Sequence, residues 1–313
     1  MRFELDEVTQ SVRDEMTRKA AARLLKLADV GASDPAAWAE IAEFGLLTPD
    51  EDGLRNIDVV VGVIALAKGG LPGPVLEASL AVAAGSAKAE ELVRAGKFVS
   101  SVPPGAASTV IAGWGEVAEL IVDQGTGAEL GGAVPVATAL PMQHARVQRP
   151  EGTSDPLAAR RWMLASALEV GLGLGMVDLA TKYVQQRIQF GRPLASFQAV
   201  QFRLVEAVRK MNAAEFMVHE AACRADAGDP LAEVTAALAW VYLSTVSEFV
   251  EKQAHQVFGA MGFTTEMGLV RFAYQSSWLR TSVDRRAAVR LVLDSRSTAS
   301  AIPPSVITAG FAV

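Results

Sequence analysis

Three helical patterns lie end to end in the second half of this 313-residue chain, over Leu157 to Gln186, Phe197 to Ala227 and Pro230 to Phe258. Each is far longer than the ~11 to 12 residues of an average helix, and such lengths leave little choice but to pack the helices against one another. On the second pattern Val200, Leu204, Val208 and Met211 fall on one face; on the third, Leu238, Val241, Thr245 and Phe249 do the same. Both stripes read as core faces. Two shorter patterns follow and end near Ser297, so the segment 153–313 is expected to be a helical bundle.

From Glu4 to Lys97 apolar residues again recur at helical spacing, broken at "GASDP", "TPDEDG" and "GGLPGP", which predicts four or five helices joined by tight turns. Ser33 and Asp34 before Pro35 mark a helix start. Between Phe98 and Gly152 the texture changes to short β-branched runs separated by glycines, "STVIAGWGEVAELIVDQGTGAEL" and "AVPVATAL", which read as strands. The expected fold is therefore mainly α: an N-terminal helical domain (1–97), a small β-domain (98–152) and a C-terminal helical bundle (153–313).

Half of the residues are hydrophobic, ample for a sizeable core, and the net charge of −6 gives no positive field for nucleic acid or an anionic membrane. The acidic start, "MRFELDEVTQSVRDEM", lacks the apolar region of a signal peptide, and no apolar run here reads as a membrane span, so a cytoplasmic protein is expected. Cys223 is the single cysteine and reads as an inert core thiol. His144, His219 and His255 have no second ligand at helical spacing, so no metal site is expected, and they read as surface or capped histidines. The glycines of "EVGLGLGMV" follow a helical pattern, not a strand, and point to close helix packing instead of a dinucleotide fingerprint.

Two short stretches carry more chemistry. In "QQRIQFGRPLASFQAVQ", Arg187 offers a fixed fork of donors suited to a diphosphate, Gln189 and Gln198 can each donate and accept, and Gly191 with Pro193 forces a turn. In "HQVFGAMGFTTE", Gln256 occupies the last helical turn, and Gly259 and Gly262 mark places where backbone can approach a ligand. Read from the residues alone, these are either two ordinary helix corners or a grip for the polar half of a nucleotide.

"ATKYVQQRIQFGRPLASFQAVQ" taken with "HQVFGAMGFTTEMGLVR" resembles the C-terminal domain of the flavin-dependent acyl-CoA dehydrogenases, in which an Arg-x-x-Phe-Gly corner is followed by Phe-Gln and later by Gln-x-x-Gly-Gly-x-Gly-Phe. "WAEIAEFGLLTPDEDG" is similar to that family's N-terminal domain, and the order of helices, sheet and helices agrees. The resemblance implies FAD as cofactor, held across a subunit interface. Arg187 would contact the pyrophosphate, while Gln189, Phe190, Phe197, Gln198, Gln256 and Gly259 would line the adenosine and phosphate side. Ala260 stands where the family has its second glycine.

The same resemblance exposes what is missing. The family desaturates an acyl-CoA between Cα and Cβ with a carboxylate as base, and the two places it uses for that base correspond to Val283 and to the neighbourhood of Arg161. The middle segment is short, and Trp114 in "AGWGEV" does not restore the element that touches the flavin ring. No catalytic residue is therefore assigned. The chain resembles the shortened partner in actinobacterial heteromeric (α2β2) enzymes of steroid breakdown, implying a catalytic acyl-CoA dehydrogenase subunit as partner, a steroid-derived CoA thioester as substrate and an isolated chain that is inactive. Two alternatives stay open: a self-sufficient enzyme with a displaced base among Glu169, Glu266 and Asp284, and a non-enzymatic helical assembly protein. The arginine-rich run from Arg271 to Arg296 reads either as an attractor of CoA phosphates or as a solvated or intersubunit helix face.

Overall fold

The computed structural model describes residues 5–24, 33–49, 53–136, 143–150, 152 and 155–297. Helices α1 (Glu7–Leu24), α2 (Pro35–Glu43), α3 (Asn56–Ala67), α4 (Val75–Ala83) and α5 (Ala87–Arg94) come first. Asp34 starts α2 as its sequence suggests: the side chain accepts from the Ala37 N–H at 3.0 Å, and Pro35 takes the first helical position, where no N–H is needed. Helix α3 is apolar from Val59 to Ala67, and every residue from Ile57 to Ala67 is buried, Asp58 among them through its bonds to Thr9 and Arg55.

The β-branched segment forms β1 (Val99–Val102), β2 (Thr109–Ala112), β3 (Leu120–Asp123), β4 (Glu129–Leu130), β5 (Val134–Pro135) and β6 (Ala145–Gln148). One sheet has the order β1-β3-β4, with β1 and β3 parallel (Val99 opposite Leu120) and β4 antiparallel to β3. The other has the order β2-β6-β5 and is antiparallel throughout, with Val110 opposite Val147. Val102, Ala112, Ile121 and Val147 make a small core of their own. The fold is mainly helical, as expected, with few and short strands in the middle.

The C-terminal part comprises α6 (Ala158–Gln186), a two-stranded ribbon of β7 (Ile188–Gln189) and β8 (Arg192–Pro193), then α7 (Gln198–Asp226), α8 (Ala232–Phe258), α9 (Leu269–Ser282) and α10 (Arg285–Ser297). The glycines of α6 do pack closely. A Cβ on Gly171 would lie 2.4 Å from the Ile64 carbonyl oxygen, one on Gly173 2.4 Å from Met211 Sδ, and one on Gly175 2.5 Å from the Phe272 ring. Helix α6 therefore touches α3, α7 and α9 at distances only glycine permits. It is long and apolar enough to cross a membrane, but 83% of its most apolar stretch is buried inside the protein, which makes it the central helix of the bundle.

Polar ties join the first helices to the last. Arg271 Nη2 and Gln275 Nε2 donate to the Leu71 carbonyl at 2.9 and 3.0 Å, and the Leu71 N–H donates back to Gln275 Oε1 at 2.9 Å. At the other end, the Asn56 and Ile57 N–H groups donate to the Asp226 carboxylate.

Three expectations are corrected. The stripe of Leu238, Val241, Thr245 and Phe249 only skirts the core: Val241 and Phe249 are half-buried against it, Leu238 is 41% exposed and Thr245 is exposed, while Ala236, Ala239, Trp240, Leu243, Val246 and Val250 point inward. The inward face combines alanines with Trp240, Leu243, Val246 and Val250 and is rotated round the helix from the expected stripe, because the alanines on it also belong to the core. His144 and His219 are buried, not on the surface, and burial depresses each to a pKa of about 4; His255 is half-buried and stacks on Phe263 at 4.7 Å. Cys223 is only half-buried at the margin of the core, its thiol pushed up by desolvation.

Candidate functional site

The turn after α6 is a tight hairpin. Phe190 and Gly191 are its two central residues and both have positive φ (53° and 79°), the backbone that a two-residue connection with the right twist demands. Glycine adopts this freely, whereas phenylalanine does so at a cost of ~1 kcal/mol or more. Phe190 is nevertheless 87% exposed, its ring edge-on to Phe197 at 6.0 Å, and Arg192 lies over the Phe197 ring at 4.2 Å. Arg187 sits at the base of the hairpin: its N–H closes α6 on the Tyr183 carbonyl and its own carbonyl accepts from the Leu194 N–H at 2.9 Å. The backbone at the arginine is thus fixed from both sides, while the side chain is exposed.

The end of α8 arrives opposite. Gly259 terminates that helix with φ 60° and ψ −140°, a conformation closed to L side chains, and open space surrounds the position where a Cβ would be. Ala260 follows in a 3₁₀ turn and has no positive φ, so the absence of a second glycine there costs nothing in backbone conformation.

Between these corners lies a cleft of about 540 Å³ lined by Arg187, Gln189, Arg203, Gln256 and Gly259, with Tyr183 and Phe258 stacked at 4.4 Å in its wall. Two guanidinium groups and two amides meet there, and no carboxylate lines it. The structure thus brings Arg187 and Gln189 together with Gln256 and Gly259, from motifs some seventy positions apart in sequence. Phe190, Phe197 and Gln198 stand beside the cleft and do not line it: the two aromatics pack on each other and on Arg192, and Gln198 opens α7 exposed to solvent. Arg203, on α7, went unmarked in the sequence because nothing local distinguishes it from a solvated helical arginine.

The two positions that correspond to the family's base, Val283 and Arg161, are sealed. Val283 is 3% exposed and ends α9. Arg161, 5% exposed, pairs with Asp155 and donates to Gln124. Glu169 is fully buried in α6, accepts from Ser276 Oγ at 2.8 Å, and is raised by desolvation to a pKa of about 8. Glu266 and Asp284 are exposed, and Asp284 caps α10 through the Arg286 and Ala287 N–H groups. One buried carboxyl has no counterpart among these candidates. Glu77 of α4 accepts from Trp278 Nε1 at 3.0 Å and is raised by desolvation to about 7, with the His144 ring tilted against the same Trp278 at 4.2 Å. A glutamate set in the unbroken apolar run "PVLEASLAV" is the signal that could have marked it.

The arginine run is not one face. Arg271 is buried against Leu71, Arg280 pairs with Glu251 at 2.7 Å, and Arg285, Arg286 and Arg290 are exposed on α10.

Residues 153–281 match the family described as acyl-CoA dehydrogenase, C-terminal domain. That segment is similar to an acyl-CoA dehydrogenase C-terminal domain. Among curated relatives, the probable acyl-CoA dehydrogenase FadE25 of Mycobacterium tuberculosis is 40% identical over 106 residues, which cover 34% of this chain and 27% of that protein. The aligned segment thus spans about a quarter of the length of that relative. Among solved structures, the ChsE4-ChsE5 complex of M. tuberculosis superposes with a TM-score of 0.78 at 17% identity, covering 95% of this chain and 99% of that one. PigA with FAD and proline gives 0.74 at 17% identity over 95% and 99%. The acyl-CoA dehydrogenase fold therefore extends over nearly the whole chain, beyond the segment matched in sequence.

PigA, a neighbour in fold, is solved with FAD. The cleft fits the anionic end of that group: it is positively charged, free of carboxylates, and opens on a glycine whose backbone is unobstructed.

Proposed function

We propose that this chain is one subunit of a heteromeric FAD-dependent acyl-CoA dehydrogenase, and that its cleft holds the adenosine and diphosphate end of an FAD whose ring lies against a catalytic partner. The observation that carries the reading is the meeting, in one carboxylate-free cleft, of Arg187 and Gln189 with Gln256 and Gly259. When bound, FAD accepts hydride from Cβ of a CoA thioester while a carboxylate takes the α-proton. Arg187 would offer its planar fork to the diphosphate, Gln189 and Gln256 would donate to phosphate or adenosine, and Gly259 would let backbone come close. The ring-side chemistry falls to the partner, since Val283 and Arg161 stand where a base would be expected and both are sealed in the fold.

An α2β2 assembly with a steroid-derived CoA thioester as substrate is the finer form of the proposal. It is supported by the resemblance to shortened subunits of such enzymes and by the likeness in fold to a complex of two different chains. A self-sufficient enzyme is the competing reading. It is favoured by Glu169, a carboxyl near pKa 8, but that group is fully buried and outside the cleft.

The deciding experiment is to co-purify the chain with the product of a neighbouring dehydrogenase gene and to measure flavin per chain in the complex and in each component. The expected result is one FAD per pair of chains and little or none on this chain alone. A stoichiometric yellow protein from this chain by itself would remove the partner from the proposal. Desaturation by the complex of a steroid-derived CoA thioester, against a straight-chain one, tests the substrate.

A further inference from the structure

We infer that Arg203 is the second jaw of a diphosphate clamp, facing Arg187 across the cleft; this rests on the reading of the cleft given above. Ala199 and Arg203 are one helical turn apart on α7 and both line the cleft, so Arg203 projects from the same face as the first turn of the helix. Its Nη1 donates to Gln253 Oε1 at 2.7 Å, which anchors one edge of the guanidinium to α8 through a neutral amide. That anchor orients the group without neutralising it, and no salt bridge to Arg203 or Arg187 occurs among the described residues. Two guanidinium groups converging on one carboxylate-free cleft repel each other unless an anion lies between them. A diphosphate suits the pair, with a separate phosphate for each planar fork. Helix α7 adds to this polarity. Its N-cap is Phe197, which offers no side-chain acceptor, so the first N–H groups of a 29-residue helix remain without a side-chain cap beside Ala199.

The test is FAD titrated into the flavin-free complex and followed by flavin fluorescence, with ADP and adenosine as competitors. Arg203→Gln is expected to weaken FAD and ADP tenfold or more while leaving adenosine unchanged, with partial rescue by Arg203→Lys and a melting temperature like that of wild type. Gln253→Ala, which removes only the internal anchor, should weaken FAD by less than Arg203→Gln. If Arg203→Gln binds FAD as wild type does while Arg187→Ala is weakened, the clamp is wrong and the cleft stands. If neither substitution matters, both the clamp and the cleft reading fail. Equal effects of Arg203→Gln and Gln253→Ala, accompanied by equal losses of thermal stability, would make Arg203 a helix-to-helix tie and overturn the inference.

Discussion

The bundle and the strand-bearing segment handle polar groups in opposite ways. Around the cleft of the bundle, Arg187, Gln189, Arg203 and Gln256 are exposed and turned toward open space. Around the two small sheets, polar groups are turned inward and satisfy one another: Gln124 Nε2 donates to Ser101 Oγ, Ser101 to the Glu77 carbonyl, Ser100 to the Gly113 carbonyl, and Arg161 to Gln124. Buried polar groups linked in this way specify packing, whereas exposed donors without acid partners await a ligand. On the proposed reading ligand binding belongs to the bundle, and the inward network of the strands holds the fold together.

The largest expected effect comes from disturbing the centre of the bundle. Gly171→Val puts a branched side chain against the Ile64 carbonyl and should destabilise by on the order of 3 kcal/mol, whereas Gly131→Ala, in open space among the strands, should change stability by about 0.5 kcal/mol or less. Urea denaturation of both variants reads the contrast; equal effects would mean that α6 is not the keystone.

At the cleft, Arg187→Ala should leave stability unchanged and cost about 1.5 to 3 kcal/mol in FAD binding, the value of a hydrogen bond to a charged group. Arg187→Lys should recover only part, because an ammonium lacks the planar fork. Flavin retention by the purified complex measures this, and wild-type retention in Arg187→Ala would make the corner structural.

The inward network predicts a pH effect. Glu77 has an ordinary value of 4.5 and is held at about 7 in the fold. Below 4.5 the carboxyl is protonated in both states. As pH rises from 4.5 to 7 the unfolded chain releases the proton while the folded chain retains it, so stability falls through that window and levels off above it. Glu77→Gln keeps an acceptor for Trp278 and removes this decline. Its melting temperature should therefore exceed that of wild type by a few degrees at pH 8 and approach it at pH 4. Glu169, His144 and His219 titrate in both proteins and drop out of the difference. A pH-independent difference would show that Glu77 is not buried in its neutral form.

The smallest effect is expected at the hairpin tip. Phe190→Gly relieves a positive-φ phenylalanine and loses one exposed aromatic contact, and the two should offset to within about 1 kcal/mol.

Much of the architecture was legible because helical and strand periods are local: the switch of texture at Phe98 is followed at once by β1, and β6 ends at Gln148, just before the return to helix. The cleft was partly legible for the same reason. Arg187, Gln189, Gln256 and Gly259 sit at helix ends, where a turn residue or a cap announces that something non-repetitive is happening. Arg203 lies inside α7, where i+4 neighbours across a cleft leave no local trace. His144 was unreadable as a buried group because polar residues are mostly exposed and only packing against Trp278 overrides that tendency, while the apolar setting of Glu77 was the one local sign of its burial. The expected stripe on α8 was rotated from the true inward face because it left out the buried Ala236, Ala239, Trp240 and Leu243.

The tie between Leu71 and the pair Arg271 and Gln275 spans 200 and 204 positions of sequence. During synthesis, α3 leaves the ribosome with α1 and Leu46 already made to cover one side, while α6 and then α9, which it also meets, are still to be made. The carbonyl of Leu71 must wait for nearly the whole chain before it finds its donors. Contacts this distant are slow to close and leave apolar surface exposed in the interval. A nascent chain of this protein is therefore a client for chaperones until α9 has emerged, and a version cut short before Arg271 should accumulate as aggregate instead of as a smaller folded protein.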